Sequence, residues 1–420
     1  MITVAQAQAL IRAHCRPMAA EMVTATEALG RVLAADIYSP VNLPPFDNSA
    51  MDGFALASGG RTLAAGLEFS VGGEQSAGQG CSQAQGEDAW EIMTGARIPD
   101  GLDTVVPVEQ VELLASRTDG CSARIRLTVP VPPQQHVRYA GEDIAQAALA
   151  IAAGSWVGPA QRMLLAGLGI ASVAVMRRPR VAVLCTGREL VDDPGTALQP
   201  GQIRNSNGPF LAARLPMAGA ELVHQETVPD DAAAFEVALA RALATGAEVV
   251  LSTGAVSMGR YDFIPSSLRG LGADIVFHKL AMRPGKPLLF ARLAGGQLFF
   301  GLPGNPVSSA VGLRFFVETA LRVQLGLPEE QPWRLPLAQA TRKKAGVRML
   351  QKARLQLAAD GQLAVELLHG QQSFKTQPLL VATAWAALPE DDESLAAGTL
   401  VEVYGLGHAG CEFHFGVQAR

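Results

Sequence analysis

The sequence has few cysteines, few histidines and little net charge, and each shortage excludes a class of protein. Its five cysteines form no Cys-x-x-Cys pair, so neither a disulfide framework nor a structural zinc site is expected. The seven histidines show no metal-ligand spacing, so any catalytic metal should be held by oxygen atoms. A net charge of −5 argues against a nucleic-acid-binding surface.

Long apolar runs are also lacking. No run reaches the ~18 residues that predict a membrane span. The first residues lack the basic and apolar regions of a secretory signal. These absences predict a soluble protein of the cytoplasm.

Cys185 ends a short apolar run and is interpreted as a buried thiol rather than a ligand.

The chain is long enough for several domains. From Arg178, apolar runs at 180–185, 221–227, 248–252 and 297–302 alternate with helical patterns, which predicts βαβ units and a parallel sheet buried on both faces. Before about residue 175, short helices and half-exposed strands are expected. After about residue 327, several short strands predict a small all-β domain.

Four loops should meet at one edge of the α/β sheet, because ligands in such sheets bind outside the carboxyl ends of the strands. The loops cover residues 186–190, 252–262, 283–287 and 301–309. One such turn alone is usually only a turn, but four at one edge favour a site for phosphate or another tetrahedral oxyanion. The candidate binding residues are Thr186, Gly187, Ser252, Thr253, Gly254, Ser257, Gly285, Pro303, Gly304, Asn305, Pro306 and Ser308.

Acidic residues near these loops point to a divalent cation. Glu189, Asp230 and Asp262 would repel an anion unless a hard cation such as Mg²⁺ lay between them. Two alternatives stay open, since Asp230 and Asp262 could each cap a helix. Lys279, Arg283 and Lys286 could be ordinary surface charges, but their crowding around Pro284-Gly285 favours a role as anion ligands, so they are candidate binding residues too.

Several motifs give the chain a resemblance to a known family. Residues 44–55 read PPFDNSAMDGFA and follow EALGRVLA at 27–34. With GEDI at 141–144 and the loops above, these motifs resemble, in order, the molybdopterin molybdenumtransferase family, known as MoeA in bacteria and as the E domain of gephyrin. Four positions depart from the family pattern. Ala147 and Ala255 stand where the family commonly has glycine, Arg188 where it usually has an acidic residue, and Thr383 where asparagine is frequent.

The resemblance implies an elongated homodimer with an active site shared between subunits. Asp52, Asp143, Glu189, Asp230 and Asp262 would be the functional acids, and the anionic ligands would contact Lys279, Arg283 and Ser373. The implied domains are a helical dimerisation domain (1–25, 40–52, 144–176), an inserted β-rich domain (26–39, 53–143), an α/β molybdopterin-binding domain (177–326) and a C-terminal β-barrel (327–420).

The resemblance also implies a reaction. Molybdenum would pass from molybdate to adenylylated molybdopterin, with Mg²⁺ held by Glu189, Asp230 or Asp262 and with release of AMP. Either a water or a molybdate oxygen could attack phosphorus. Protein partners would be the adenylylating enzyme and the molybdoenzymes or chaperones that accept the cofactor. Two other hypotheses are adenylylation of molybdopterin itself and a non-catalytic scaffold; the N-terminal motifs and the intact acids count against them.

Overall fold

The computed structural model describes residues 1–80, 82–84, 89–116, 122–256, 263–357 and 361–408. The chain forms two compact units. The larger unit contains Met1–Ala35, Ala153–Pro159 and Ser172–Arg420, and the smaller unit contains Asp36–Ala152 and Ala160–Ala171. None of the helices in the described ranges is both long enough and apolar enough to cross a lipid bilayer.

An α/β domain with a six-stranded sheet lies in the larger unit. The predicted strands are present, and three of them, Arg180–Thr186, Val249–Thr253 and Leu298–Leu302, are buried on both faces as expected. The fourth, Glu221–Val228, lies at the edge of the sheet and is only half-buried, which corrects the prediction for that strand. The order across the sheet is β2-β1-β3-β6-β5-β4. The strands are β1 Arg180–Thr186, β2 Glu221–Val228, β3 Val249–Thr253, β4 Asp274–His278, β5 Leu289–Arg292 and β6 Leu298–Leu302.

The four predicted strands run parallel, but the sheet contains two further strands, β4 and β5, and one of them makes it mixed. Neighbours among β2, β1, β3 and β6 run parallel, but β5 is antiparallel to both β4 and β6. The connection 279–288 between β4 and β5 contains no helix. Antiparallel neighbours can be joined by such a short segment, whereas parallel neighbours need a longer crossover.

Helices cover both faces of the sheet. On one face, Phe235 packs with Val250 and Phe299, and on the other face Leu211 packs with Val183 and Phe300. The helices of this domain are α1 Asn207–Met217, α2 Ala232–Ala244, α3 Ile264–Gly270 and α4 Pro306–Gly312, which continues through a π-turn, Leu313–Val317, into α5 Glu318–Gln324.

The N-terminal helix, Val4–His14, belongs to the same core. Thr3 and Gln6 form a capping box at its start. Its buried residue Ile11 packs in the cluster that includes Val249 and Phe316. The sequence pattern of this helix therefore serves a packing role against the α/β domain.

The short strands predicted after residue 327 are present in the larger unit. One sheet has the order Met282–Arg283, Arg348–Leu357, Ala384–Leu388, Leu400–Tyr404 and Trp333–Pro336. A further strand, Leu363–Leu367, also pairs with Arg348–Leu357. Other elements of the larger unit are the strand pairs Ala20–Thr24 with Ser172–Met176, Leu190–Val191 with Ile203–Arg204, and Thr341–Arg342 with Ser394–Leu395, and the 3-10 helix Gln377–Leu380.

The smaller unit has its own six-stranded sheet and its own core around Phe54, Val106 and Ile125. The sheet order is Thr104–Pro107, Gly53–Leu56, Ala89–Ile92, Glu68–Gln75, Ser122–Leu127 and Val111–Ser116. The remaining elements are Ile37–Tyr38 with Leu149–Ile151, Asn48–Ser49 with Val137–Arg138, the 3-10 helix Val108–Gln110 and the helix Pro159–Gly167.

Candidate functional site

A cleft of about 620 Å³ lies at the carboxyl edge of the α/β sheet. The sheet order reverses at β1, because β2 lies on one side of it and β3 on the other, and such a reversal opens a crevice between strand ends. All four predicted loops contribute to the lining. The lining consists of Thr186, Glu189, Leu190, Ile203, Arg204, Asn205, Ser206, Asn207, Asp230, Thr253, Gly254, Ala255, Val256, Pro287, Pro303, Gly304, Asn305, Pro306 and Phe374.

The ends of β1 and β3 form a close backbone contact. The Thr186 hydroxyl donates a hydrogen bond to the Thr253 carbonyl oxygen at 3.1 Å. A Cβ at position 254 would lie 2.6 Å from the Thr186 carbonyl oxygen, and φ there is +92°, so only glycine fits. At position 187 a Cβ would lie 2.9 Å from the Glu189 carboxylate, so Gly187 lets Glu189 fold against the loop.

Two predicted acids meet in this cleft. Glu189 and Asp230 both line it, and neither side chain has an ion-pair partner among the residues described. The alternative of Asp230 as a helix cap is not what the structure has: the neighbouring Asp231 caps α2, its carboxylate accepting from the Ala234 N–H at 2.9 Å. Asp262 and Ser257 lie outside the described residues.

The described residues contain no group of three or more acidic, histidine or cysteine side chains arranged for a metal. Mg²⁺ does not need one, because it is commonly bound by one or two carboxylates with substrate phosphates and waters completing its shell. The pair Glu189 and Asp230 in an open cleft fits that donor set.

The start of α4 differs from the simple anion site that its sequence predicts. Asn305 and Pro306 occupy the N-cap and first-turn positions, but the Asn305 side chain makes no capping hydrogen bond. The Val307 N–H donates to the Ser373 carbonyl oxygen at 2.9 Å. One of the N–H groups of this helix is therefore satisfied by the protein, and Ser373 acts there through its backbone.

Several predicted binding residues lie away from the cleft lining. Ser252 is fully buried in β3, and Ser308 is buried in α4. Lys279, Arg283, Gly285 and Lys286 do not line the cleft, although Pro287 of the same loop does. Arg283 and Lys286 are exposed.

Sequence reasoning missed the segment between β1 and α1. Asn207 donates to the Gly304 carbonyl oxygen at 2.7 Å, which ties α1 to the loop before α4. Asn205 donates to the Asp192 carboxylate at 2.9 Å and to the Thr227 hydroxyl oxygen at 3.0 Å. The signal available in the sequence was the polar run at 204–207.

Cys185 and Thr186 end β1 with different roles. Cys185 is fully buried, as predicted, and desolvation raises the pKa of its thiol. It is therefore a neutral core residue at neutral pH. Thr186, one residue later, reaches the cleft.

Asp52 and Asp143 belong to the smaller unit. The Asp52 carboxylate accepts from the Thr94 N–H at 2.6 Å and from the Thr94 hydroxyl at 2.8 Å, and these bonds lower its pKa. Asp143 is exposed, and its N–H donates to the Leu43 carbonyl oxygen at 3.0 Å. Both acids are open to solvent, and Asp52 is ionised at neutral pH.

Three family models match the chain in order. They are the MoeA N-terminal region (domain I and II) at residues 2–169, the "Probable molybdopterin binding domain" at 182–323, and the MoeA C-terminal region (domain IV) at 334–406. The second of these contains the strands and loops that build the cleft.

Named relatives match almost the whole chain. The chain is 38% identical to a molybdopterin molybdenumtransferase of Synechococcus elongatus, covering 93% of this chain and 95% of the relative. It is 37% identical to molybdopterin molybdenumtransferase 2 of Mycobacterium tuberculosis, with coverage of 93% and 96%. A crystal structure of a molybdopterin biosynthesis MoeA protein from Pyrococcus horikoshii superposes with a TM-score of 0.80 at 26% identity, covering 96% of this chain and 100% of the other.

Proposed function

Because this chain belongs to the molybdopterin molybdenumtransferase family, we propose that it inserts molybdenum into molybdopterin in molybdenum cofactor biosynthesis. The observation that carries this proposal is the cleft at the strand reversal, where two carboxylates without cationic partners among the described residues face glycine-rich loops. The substrates would be molybdate and adenylylated molybdopterin, and the products AMP and the molybdenum cofactor.

The glycine-rich loops would hold the phosphate groups of the pterin substrate. Gly254 and Gly304 leave backbone exposed to the cleft, and Asn207 fixes the position of Gly304. The Asn305 side chain makes no capping hydrogen bond, so its amide can donate to an anion at the same edge. Lys279, Arg283 and Ser373 would contact the anionic ligands from the neighbouring loops.

The acids would bind the divalent cation. Glu189 and Asp230, with Asp262 as a third candidate, would hold Mg²⁺, which would neutralise charge on the phosphate anhydride. These side chains would orient the substrate phosphates relative to the strand ends. Both dithiolene sulfurs come with the substrate, which agrees with a chain whose Cys185 is a buried neutral thiol.

The quaternary arrangement is a further part of the proposal. It rests on the family resemblance and consists of a cytoplasmic homodimer, the four-domain division and the C-terminal barrel. In that arrangement Asp52 and Asp143 would reach the cleft from the partner subunit. Their exposure and the lowered pKa of Asp52 are compatible with this role.

A turnover assay tests the function. The purified chain is mixed with adenylylated molybdopterin, MgCl₂ and molybdate, and AMP is followed by chromatography. We expect AMP release that needs both molybdate and Mg²⁺, together with cofactor that activates an apo-molybdoenzyme. Failure to release AMP under these conditions would refute the proposal, and ATP consumption with unmodified molybdopterin in the absence of molybdate would favour the adenylylation alternative.

A further inference from the structure

Phe374 is an aromatic side chain held in an exposed position inside the cleft. It is 64% exposed and lines the cleft beside the loop before α4. Folding normally buries such a side chain, because it contributes a large apolar surface. An exposed aromatic ring at a ligand cleft therefore calls for a reason other than packing.

The loop that carries Phe374 is held in place by hydrogen bonds from a buried lysine. Lys352 has no exposed surface, and its ammonium group donates to the carbonyl oxygens of Gly370 at 2.8 Å, Lys375 at 3.0 Å and Gln372 at 3.4 Å. All three donors of one side chain thus bind the segment 370–375. Burial and the charge of Lys375 lower the pKa of Lys352, which is the cost of this arrangement.

Two further contacts fix the same loop. The Gln371 amide donates to the carbonyl oxygens of Lys352 at 2.8 Å and Leu368 at 2.7 Å, and its oxygen accepts from the Lys352 N–H at 3.0 Å. On the other side, the Ser373 carbonyl accepts from Val307 at the start of α4. The loop is tied to a strand and to a helix, yet its aromatic residue points into the cleft.

We propose that Phe374 is a stacking platform for a planar heteroaromatic ring of the substrate, and that Lys352 is the positioning residue that holds the platform in place. The inference rests on the proposed function, whose substrate carries two such rings, a pterin and an adenine. A planar base gains binding affinity when it stacks on an aromatic side chain. A loop that is already ordered loses little entropy when the ring binds.

Binding of simple probes tests the platform without turnover. AMP, neopterin monophosphate and inorganic pyrophosphate are titrated into the wild-type chain and into Phe374→Ala by calorimetry. We expect Kd to rise about 10-fold for AMP or for the pterin, which identifies the ring, and to stay unchanged for pyrophosphate, which has no ring. Phe374→Trp should retain affinity. Leu380→Ala is the matched control, because Leu380 is 84% exposed in the same region and does not line the cleft.

A second pair of variants tests the positioning role. Lys352→Met should raise KM for the adenylylated pterin and change kcat little, and Lys352→Arg should restore KM, because a guanidinium can again donate to the loop carbonyls. A loss confined to thermal stability, with KM unchanged, would show that Lys352 is merely structural and would overturn this part.

Other outcomes separate this inference from the proposed function. Equal affinities of wild type and Phe374→Ala for both ring-bearing probes would overturn the platform, as would a change of oligomeric state without a change of affinity. No binding of either ring-bearing probe to the wild-type chain would overturn it as well. Binding that depends on Phe374, in a chain that releases no AMP, would keep the platform and refute the reaction.

Discussion

Carboxylates in the cleft differ from those in a buried group of charges within the same unit, because only the latter are paired with arginines. We call this group the charge cluster; it consists of Arg214, Arg314, Glu318, Glu330 and His408. Glu318 is fully buried, with Arg214 at 3.1 Å and Arg314 at 3.5 Å. Glu330 receives two hydrogen bonds from Arg314, the shorter at 2.5 Å.

In the cleft, by contrast, Glu189 and Asp230 lack cationic partners among the described residues. A buried carboxylate must be paired, because losing its water is costly, whereas a carboxylate in an open cleft keeps its water until a ligand arrives. The charge cluster also joins helix α5 to His408, whose N–H donates to Glu318 at 3.0 Å. Paired charges hold the fold together here, and unpaired ones are left for ligands.

Breaking the charge cluster should have the largest effect. Glu318→Ala leaves the buried guanidinium of Arg314 and the half-buried guanidinium of Arg214 without their shared carboxylate. We expect a loss of about 3–5 kcal/mol in the free energy of unfolding, measured by urea denaturation. Glu329→Ala is the control, because its pair with Arg12 at 3.0 Å is largely exposed and should contribute less than about 1 kcal/mol. Equal losses in the two variants would contradict the comparison.

Two adjacent aspartates sharpen the comparison on the cleft side. Asp230→Asn removes a proposed Mg²⁺ ligand and should lower kcat/KM about 100-fold, in the range found when a group that stabilises transition-state charge is lost, with the melting temperature unchanged. Asp231→Ala removes the cap of α2 and should cost about 1 kcal/mol of stability with normal turnover. The measurements are AMP release and thermal unfolding. Normal turnover of Asp230→Asn would remove this acid from the site.

The position of the cleft could be predicted from the sequence because it depends on short local patterns. Strand ends, loops and the helix start at Pro306 can each be located from short patterns, and the sheet brings them to one edge. The strands β4 and β5 were not predicted, and no pattern of apolar residues records the reversed direction of β5. The charge cluster was missed as well, because Arg214 and Glu318 are 104 positions apart.

Two departures from the family pattern acquire a physical meaning in the structure. Ala147 and Ala255, which replace glycines common in the family, have φ values of +65° and +48°. That left-handed region favours glycine, because a Cβ there approaches the backbone. The sequence could show that these positions differ, but only the backbone angles show why glycine suits them.

His408 gives the smallest effect and tests how dry the charge cluster is. Burial lowers the pKa of its imidazole from 6.5 to about 3, with a contribution from the charges of Arg314 and Arg322, and the ring bonds to the Ala218 carbonyl oxygen at 3.0 Å. Below pH 6.5 the unfolded chain takes up a proton that the folded chain refuses, so stability falls as the pH drops toward 3. By pH 5 this loss should reach about 2 kcal/mol. The free energy of unfolding is measured by urea denaturation at pH 7.5 and at pH 5. Between these two pH values His408→Gln should lose less of it than wild type does, by the amount just given. Equal losses of unfolding free energy in the two proteins would mean that water reaches the His408 ring and that the charge cluster does not exclude water.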